Sequence, residues 1–257
     1  MSNKDQKLKD KVYIITGATS GMGKEIAIKF AEEGASLIIN GRDEHRGQEL
    51  LKHLESYGNR VYFIQGDVSE ESTNSIIINC AKDNFGKLDG FVSSAGILGL
   101  GKIAELDDEL WKKTLGTNLD AVYYLSKKSI PLMVQSGGGN IVVIGSIASE
   151  KVFPSHPAYC ASKAAVLALT RQIALDYGPE IKANIINPGP VDTPLLWDSA
   201  KGFPDPATAV DNARQTTALK ALGTPKDIAE LALFLVSDKN QWITGSAITI
   251  DGGKLLY

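Results

Sequence analysis

The stretch Thr16-Gly17-Ala18-Thr19-Ser20-Gly21-Met22-Gly23 decides the fold, because it joins the apolar run Val12-Ile15 to the helical pattern Lys24-Glu25-Ile26-Ala27-Ile28-Lys29-Phe30. A strand, a glycine turn and a helix start follow one another. Glycines at such a turn let backbone N–H groups approach a pyrophosphate, and the helix N-terminus adds favourable partial positive charge. The spacing is G-x-x-x-G-x-G rather than G-x-G-x-x-G, and the Gly-Lys-Ser/Thr ending of a triphosphate loop is missing. An ordinary strand-to-helix turn is also glycine-rich. The position in the first βαβ unit favours a dinucleotide.

Outward from that loop, Leu37-Asn40, Val61-Gln65, Gly90-Ser94, Asn140-Gly145, Ala183-Asn187 and Ala247-Ile250 repeat the short β-branched pattern, with one helical stretch between most of them. The runs are nearly continuous in apolar character, as in strands covered on both faces. They predict an α/β fold with a doubly wound parallel sheet of seven strands. Gly34, Gly58 and Gly86 mark helix ends, and Thr224-Pro225 places a capping hydroxyl and a first-turn proline before Ile228, Leu231, Ala232 and Leu235. No repeat or long linker divides residues 1–257, which read as one domain. The stretch from Pro188 to Pro225, with Pro190, Pro194, Pro204 and Pro206, breaks the rhythm. It predicts an irregular, mobile lid at about residues 190–220, carrying Leu195, Leu196, Trp197 and Phe203 over a substrate.

Composition narrows the function classes. With 43% hydrophobic and 22% charged residues the chain resembles a soluble globular protein, not a disordered, collagen-like or coiled-coil one. The 27 Lys+Arg against 30 Asp+Glu lack the basic excess of nucleic-acid binders. No apolar run reaches the ~18 residues of a membrane span, and the polar start MSNKDQKLKD does not read as a signal peptide, so a cytoplasmic protein is expected. Two cysteines, Cys80 and Cys160, and three scattered histidines predict neither a disulfide framework nor a metal site.

Tyr159 and Lys163 stand four residues apart at the start of a helical stretch that runs to about Tyr177, so their side chains share a face. A phenol near an ammonium is an acid/base catalyst without histidine, since the positive charge favours the phenolate. Ser146 ends another apolar run, at the carboxyl edge where ligands bind in open α/β sheets, and its hydroxyl is a donor for a carbonyl oxygen. Cys160 points about a hundred degrees away from Tyr159 around the helix and reads as a small buried residue. His156 shows no partner in the sequence and reads as incidental.

Gly17/Gly21/Gly23, Asp67-Val68, Ser94-Ala95-Gly96, Asn118, Ser146, Tyr159 with Lys163, and Pro188-Gly189 followed by Thr193 together resemble the short-chain dehydrogenase/reductase family, over about Lys11 to Gly253. The resemblance implies a single Rossmann-like domain and hydride transfer between a nicotinamide and a ketone, an aldehyde or a secondary alcohol, as in 3-oxoacyl or general carbonyl reductases. It implies Tyr159 as general acid/base, Ser146 orienting the substrate oxygen, Lys163 lowering the tyrosine pKa and holding the nicotinamide ribose, and Asn118 supporting a water in the proton relay. Asp67 would contact adenine and Thr193 the carboxamide. Thr19, Ser20, Met22, Val68, Ala95, Gly96, Gly189 and Val191 complete the expected cofactor-binding set. A homotetramer is also implied, with one interface around the last strand and Gly252-Gly253-Lys254-Leu255-Leu256-Tyr257. Ser93-Ser94 replaces the two asparagines usual before Ala-Gly, a departure that a loop near ribose tolerates.

The end of the second strand predicts the cofactor. An acidic residue about 20 residues past the glycine loop binds the ribose 2′-hydroxyl in NAD enzymes; here Asn40 stands there, and Arg42 follows with a fork of donors suited to a phosphate. Against this, Asp43 is adjacent, and Arg42 pairing with a carboxylate on its own helix is the alternative. Thr19 and Ser20 supply no second cation. NADP(H) is therefore preferred, with NAD(H) possible. An NAD-linked polyol or sugar dehydrogenase and a non-catalytic dinucleotide-binding regulator are the competing functions.

Overall fold

The computed structural model describes residues 6–58 and 60–256. Seven parallel strands, β1 (Val12–Thr16), β2 (Ser36–Gly41), β3 (Val61–Gln65), β4 (Gly90–Ser93), β5 (Gly139–Ile144), β6 (Ile181–Pro188) and β7 (Ala247–Ile250), form one sheet in the order β3-β2-β1-β4-β5-β6-β7. Successive side chains on a strand alternate between faces, and both faces are apolar here. Tyr13 and Ile15 join one core with α1 (Gly21–Glu32) and α2 (Glu44–Glu55), whereas Val12 and Ile14 join the other with α3 (Glu71–Phe85). This two-sided burial explains why the runs are continuous rather than alternating. Gly86 ends α3 in the left-handed region at φ 67°, where a side chain is disfavoured.

Between β4 and β5 the chain runs through α4 (Asp108–Leu115), a single π-turn at Gly116–Asp120 and α5 (Ala121–Gln135). The wider turn carries Asn118, and such insertions recur at functional sites. After β5, α6 (Pro157–Tyr177) opens with Pro157 in its first turn and carries Tyr159 and Lys163 one turn apart. It covers the second core together with α5.

The stretch after β6 differs from expectation. Residues expected to be irregular fold into α7 (Pro194–Ala200) and α8 (Pro206–Gln215). Pro194 and Pro206 each open a helix, where a missing N–H leaves no bond unmade. The Asp205 carboxylate caps α8 by accepting from the Ala207 and Thr208 amides. Then α9 (Pro225–Val236) begins with a full capping box between Thr224 and Asp227 and packs against α1. No helix among the described residues is long and apolar enough to cross a membrane. At the chain end Leu256 is 78% exposed, while Tyr257 lies outside the described residues.

Where β1 leads into α1, backbone meets backbone. A Cβ on Gly17 would lie 2.7 Å from the Ala95 main chain, and one on Gly23 only 2.3 Å from the Gly17 carbonyl oxygen. Helix and loop approach this closely only without those side chains. Gly23→Ala is therefore expected to destabilise the fold by about 1–3 kcal/mol through overpacking, and to displace the loop. Denaturant midpoints check the first effect; an unchanged midpoint contradicts it.

Candidate active site

All the singled-out loops leave carboxyl ends of strands, and between β1 and β4 the strand order reverses, which opens a crevice. Two cavities meet there. A cleft of about 850 Å³ is walled by the glycine loop, Arg42, Asp67, Val68, Ser94, Ala95, Gly96, Lys163 and Thr193. A second cavity, about 370 Å³, lies under α7 and α8 against Ser146, with Phe153, Leu195, Leu196, Phe203 and Val210 among its walls. Tyr159 borders both, as do Met22, Gly145, Thr193 and Leu195. Whatever occupies the cleft and whatever occupies the cavity meet beside its ring.

Ser146 follows β5 in extended conformation and starts a short 3₁₀ turn, Ile147–Ser149. Its backbone amide donates to Asn187 Oδ1 at 3.2 Å and its Oγ accepts from the Ala148 amide at 3.0 Å, which leaves the hydroxyl proton free to donate. Tyr159 uses that hydroxyl: burial pushes the phenol up from its ordinary value, and the Ser146 hydrogen bond pulls it partly back. Lys163 is only 5% exposed; its Nζ donates to the Ile144 carbonyl at 2.8 Å and lies 5.6 Å from the Tyr159 ring centroid. Burial lowers this ammonium from near 10.5 to about 8. The expected lowering of the phenol by the ammonium is thus not the dominant influence among the protein's own groups. Desolvation acts on both and holds the phenol protonated.

Asn118 lies in the π-turn and is 2% exposed. Its Oδ1 accepts from the Ile97 amide at 2.9 Å, and its Nδ2 donates to the Ile97 carbonyl and to Ser162 Oγ, both at 2.9 Å. The side chain clamps the loop after β4 to the helix carrying Tyr159.

The cleft fits a dinucleotide. The Ser20 hydroxyl does not cap α1, so the first amides of that helix are left for an anion, and Gly21 at φ 53° packs toward Thr193 across the cleft. Asp43 caps α2 through the Arg46 amide and pairs with the Arg46 guanidinium at 2.7 Å. Arg42, exposed, has no carboxylate within ion-pair distance among the described residues, so the expected alternative of pairing along its own helix is not realised. Burial would raise Asp67, but the Ser69 amide and hydroxyl, helped by the Arg42 and Lys113 charges, hold its carboxyl below the usual range. Asn40 donates to the Ile64 and Gly66 carbonyls at 3.0 and 3.2 Å, tying β2 to β3.

Other expected residues fall elsewhere. Pro188, Gly189 and Val191 wall the smaller cavity rather than the cleft, and Gly23 lies beneath the loop. Trp197 turns out to the surface, its indole N–H donating to Asp192 at 3.0 Å. His156, set aside from sequence, is 6% exposed, walls the smaller cavity and stacks edge-on at 6.2 Å from the Tyr159 ring. Its Nδ1 lies 2.6 Å from the Pro154 carbonyl, which requires a donor, so Nε2 accepts from Ser199 on α7 at 3.0 Å. The signal available in sequence was its place directly before the proline that opens the Tyr159 helix.

Residues 17–254 match the family described as Enoyl-(Acyl carrier protein) reductase. A 3beta-hydroxysteroid dehydrogenase of Mediterraneibacter gnavus is 35% identical over 96% of this chain and 96% of that protein. An NADP-dependent (R)-specific alcohol dehydrogenase of Lentilactobacillus kefiri is 34% identical over 96% of this chain and 97% of that protein. The structure of L-sorbose reductase from Gluconobacter frateurii, complexed with NADPH and L-sorbose, is similar with a TM-score of 0.93 at 29% identity, covering 99% of this chain and 100% of that one. The chain belongs to the short-chain dehydrogenase/reductase family, oxidoreductases that act on alcohol and carbonyl groups.

The buried ammonium has a pH signature. Above pH of about 8 the native Lys163 sheds its proton while the unfolded chain keeps it to near 10.5, so wild-type stability rises with pH across that window. Lys163→Met lacks this rise. The stability of the variant relative to wild type is expected to fall by about 2 kcal/mol between pH 7 and 9.5, at 1.36 kcal/mol per pKa unit. Urea melts of both proteins at the two pH values check this; parallel pH dependences contradict it.

Proposed function

We propose that the protein is an NADP(H)-dependent oxidoreductase for ketones, aldehydes or secondary alcohols with an apolar body. The observation that carries this reading is the position of Tyr159, a protonated phenol on the wall shared by a dinucleotide-sized cleft and an apolar cavity. Leu195, Leu196, Phe203 and Phe153 favour an apolar skeleton over a bare sugar, in line with the steroid named for one relative rather than the sorbose named for one neighbour.

A nicotinamide bound in the cleft supplies or accepts the hydride. In reduction the Tyr159 hydroxyl gives its proton to the substrate oxygen, which the Ser146 hydroxyl holds by donating to it. In oxidation the same phenolic oxygen takes the proton back. Lys163, one turn along α6, donates to the Ile144 carbonyl at the wall of the cleft, where it would hold the nicotinamide ribose, and its charge favours the phenolate whenever the proton has left. Asn118 keeps the loop after β4 and α6 in register, and α7 and α8 cover the smaller cavity. Asp67 and Thr193 wall the cleft, where they would contact the adenine and the carboxamide.

The cofactor preference rests on Arg42. Asn40 faces β3, Gly41 has no side chain to repel a phosphate, and Asp43 is engaged by Arg46. A free guanidinium at the mouth of the cleft suits a 2′-phosphate.

Rates on a panel of apolar ketones and alcohols, read at the nicotinamide band with each cofactor, test the reading. Tyr159→Phe is expected to lower kcat at least about 100-fold while cofactor affinity stays within about threefold. Arg42→Ala is expected to lower kcat/KM for NADPH by about 10- to 100-fold and to leave that for NADH nearly unchanged, as for loss of one charge-assisted pair. Wild-type preference for NADH, or more than about a tenth of kcat left in Tyr159→Phe, contradicts it.

A further inference from the structure

The smaller cavity holds a charge that hydride transfer does not use. Lys254, in the turn after β7, walls the same cavity as Tyr159 and Ser146. Among the described residues of that wall it bears the one permanent charge, and no aspartate or glutamate faces it there. Its Nζ donates to Thr216 Oγ1 at the end of α8. Thr216 in turn donates to the Asn212 carbonyl at 2.5 Å, so the ammonium is steered by a hydroxyl that neutralises nothing. The recorded ion pairs of the described residues do not include it. Partial burial, reinforced by the like charge of Lys151, lowers its pKa. The carboxylate of nearby Asp251 is turned away, accepting from the Gly253 and Leu255 amides at 2.8 Å each. Half-buried at an apolar wall and without a counter-charge on that wall, the ammonium is open to an anion.

We propose that Lys254 binds a carboxylate carried by the substrate. Resting on the oxidoreductase reading above, this defines the substrate class as keto or hydroxy acids in which an apolar skeleton separates the reacting carbon from the acid group. Apolar walls then hold the skeleton, Ser146 and Tyr159 take the oxygen at the reacting carbon, and the Lys254 ammonium takes the acid. A single ammonium suits a singly charged carboxylate, and a cavity of about 370 Å³ is within the range of small-ligand sites.

Two readouts separate this claim from the reading beneath it. The first is binding of unreactive probes, decanoate and decanamide, to wild type, Lys254→Met and Lys254→Arg in the presence of NADP⁺. The second is kcat/KM for 7-oxooctanoate, 9-oxodecanoate and 11-oxododecanoate against their primary amides. Wild type is expected to bind decanoate about 10- to 100-fold more tightly than decanamide, as for a charge-assisted pair. Lys254→Met is expected to abolish that ratio with amide binding within about twofold of wild type, and Lys254→Arg to restore most of it. At the preferred chain length the acid is expected to be turned over better than the amide through KM, a difference lost in Lys254→Met. Equal or absent binding of the two probes by wild type, or a ratio that survives Lys254→Met, overturns the proposal. Absence of turnover with every ketone while decanoate still binds selectively would instead overturn the oxidoreductase reading.

Discussion

The contact of Gly17 with the Ala95 main chain, at the point where the strand order reverses, sets the spacing of everything at the carboxyl edge. Two loops that would otherwise diverge are held backbone to backbone, so the crevice between them has a fixed floor. From that floor the ties run outward in sequence. The loop after β4 is clamped by Asn118 to α6 through Ile97 and Ser162, and α6 is bound to β5 through Lys163 and the Ile144 carbonyl. The Ser146 amide is fixed by Asn187 on β6. Each tie is a buried or partly buried hydrogen bond whose loss leaves an unsatisfied group, which makes the arrangement stiff.

That stiffness has an electrostatic consequence. Because burial disfavours the charged form of each group, Tyr159 is held protonated and Lys163 is held close to losing its proton. The pair therefore does not start as a phenolate beside an ammonium. It starts as a donor poised beside a hydroxyl, with the ammonium as a reserve that stabilises the charge left once the proton moves. Preorganised groups of this kind need little rearrangement during the reaction.

Most of this frame was legible in the sequence. Strands buried on both faces read as unbroken apolar runs, and Val61–Gln65 and Ala247–Ile250 coincide with their expected limits. Tyr159 and Lys163 were legible because a spacing of four on a helix is a statement about contact. What escaped depended on partners distant in the chain or on context. Pro194 and Pro206 were read as helix breakers, although Thr193-Pro194 and Asp205-Pro206 repeat the cap-then-proline pattern that was read correctly at Thr224-Pro225. The place of His156 is fixed by Ser199, 43 residues away, and nothing local announces that pairing. Whether Arg42 is free turned on Asp43 choosing Arg46 instead, and Asn40, at the cleft wall, gives its amide protons to the neighbouring strand.

The central claim is that the Tyr159 phenol carries the proton, and its own acidity gives the most direct measurement of that. Replacing Tyr159 alone by a ring-fluorinated tyrosine lowers the phenol pKa while keeping its shape and its bond to Ser146. In each direction kcat/KM should break at the phenol pKa of the cofactor-bound enzyme, reduction falling above that break and oxidation rising below it. In the fluorinated protein that break is expected to move to lower pH by the difference between the two phenols. A break that stays where it was in either direction would contradict the account.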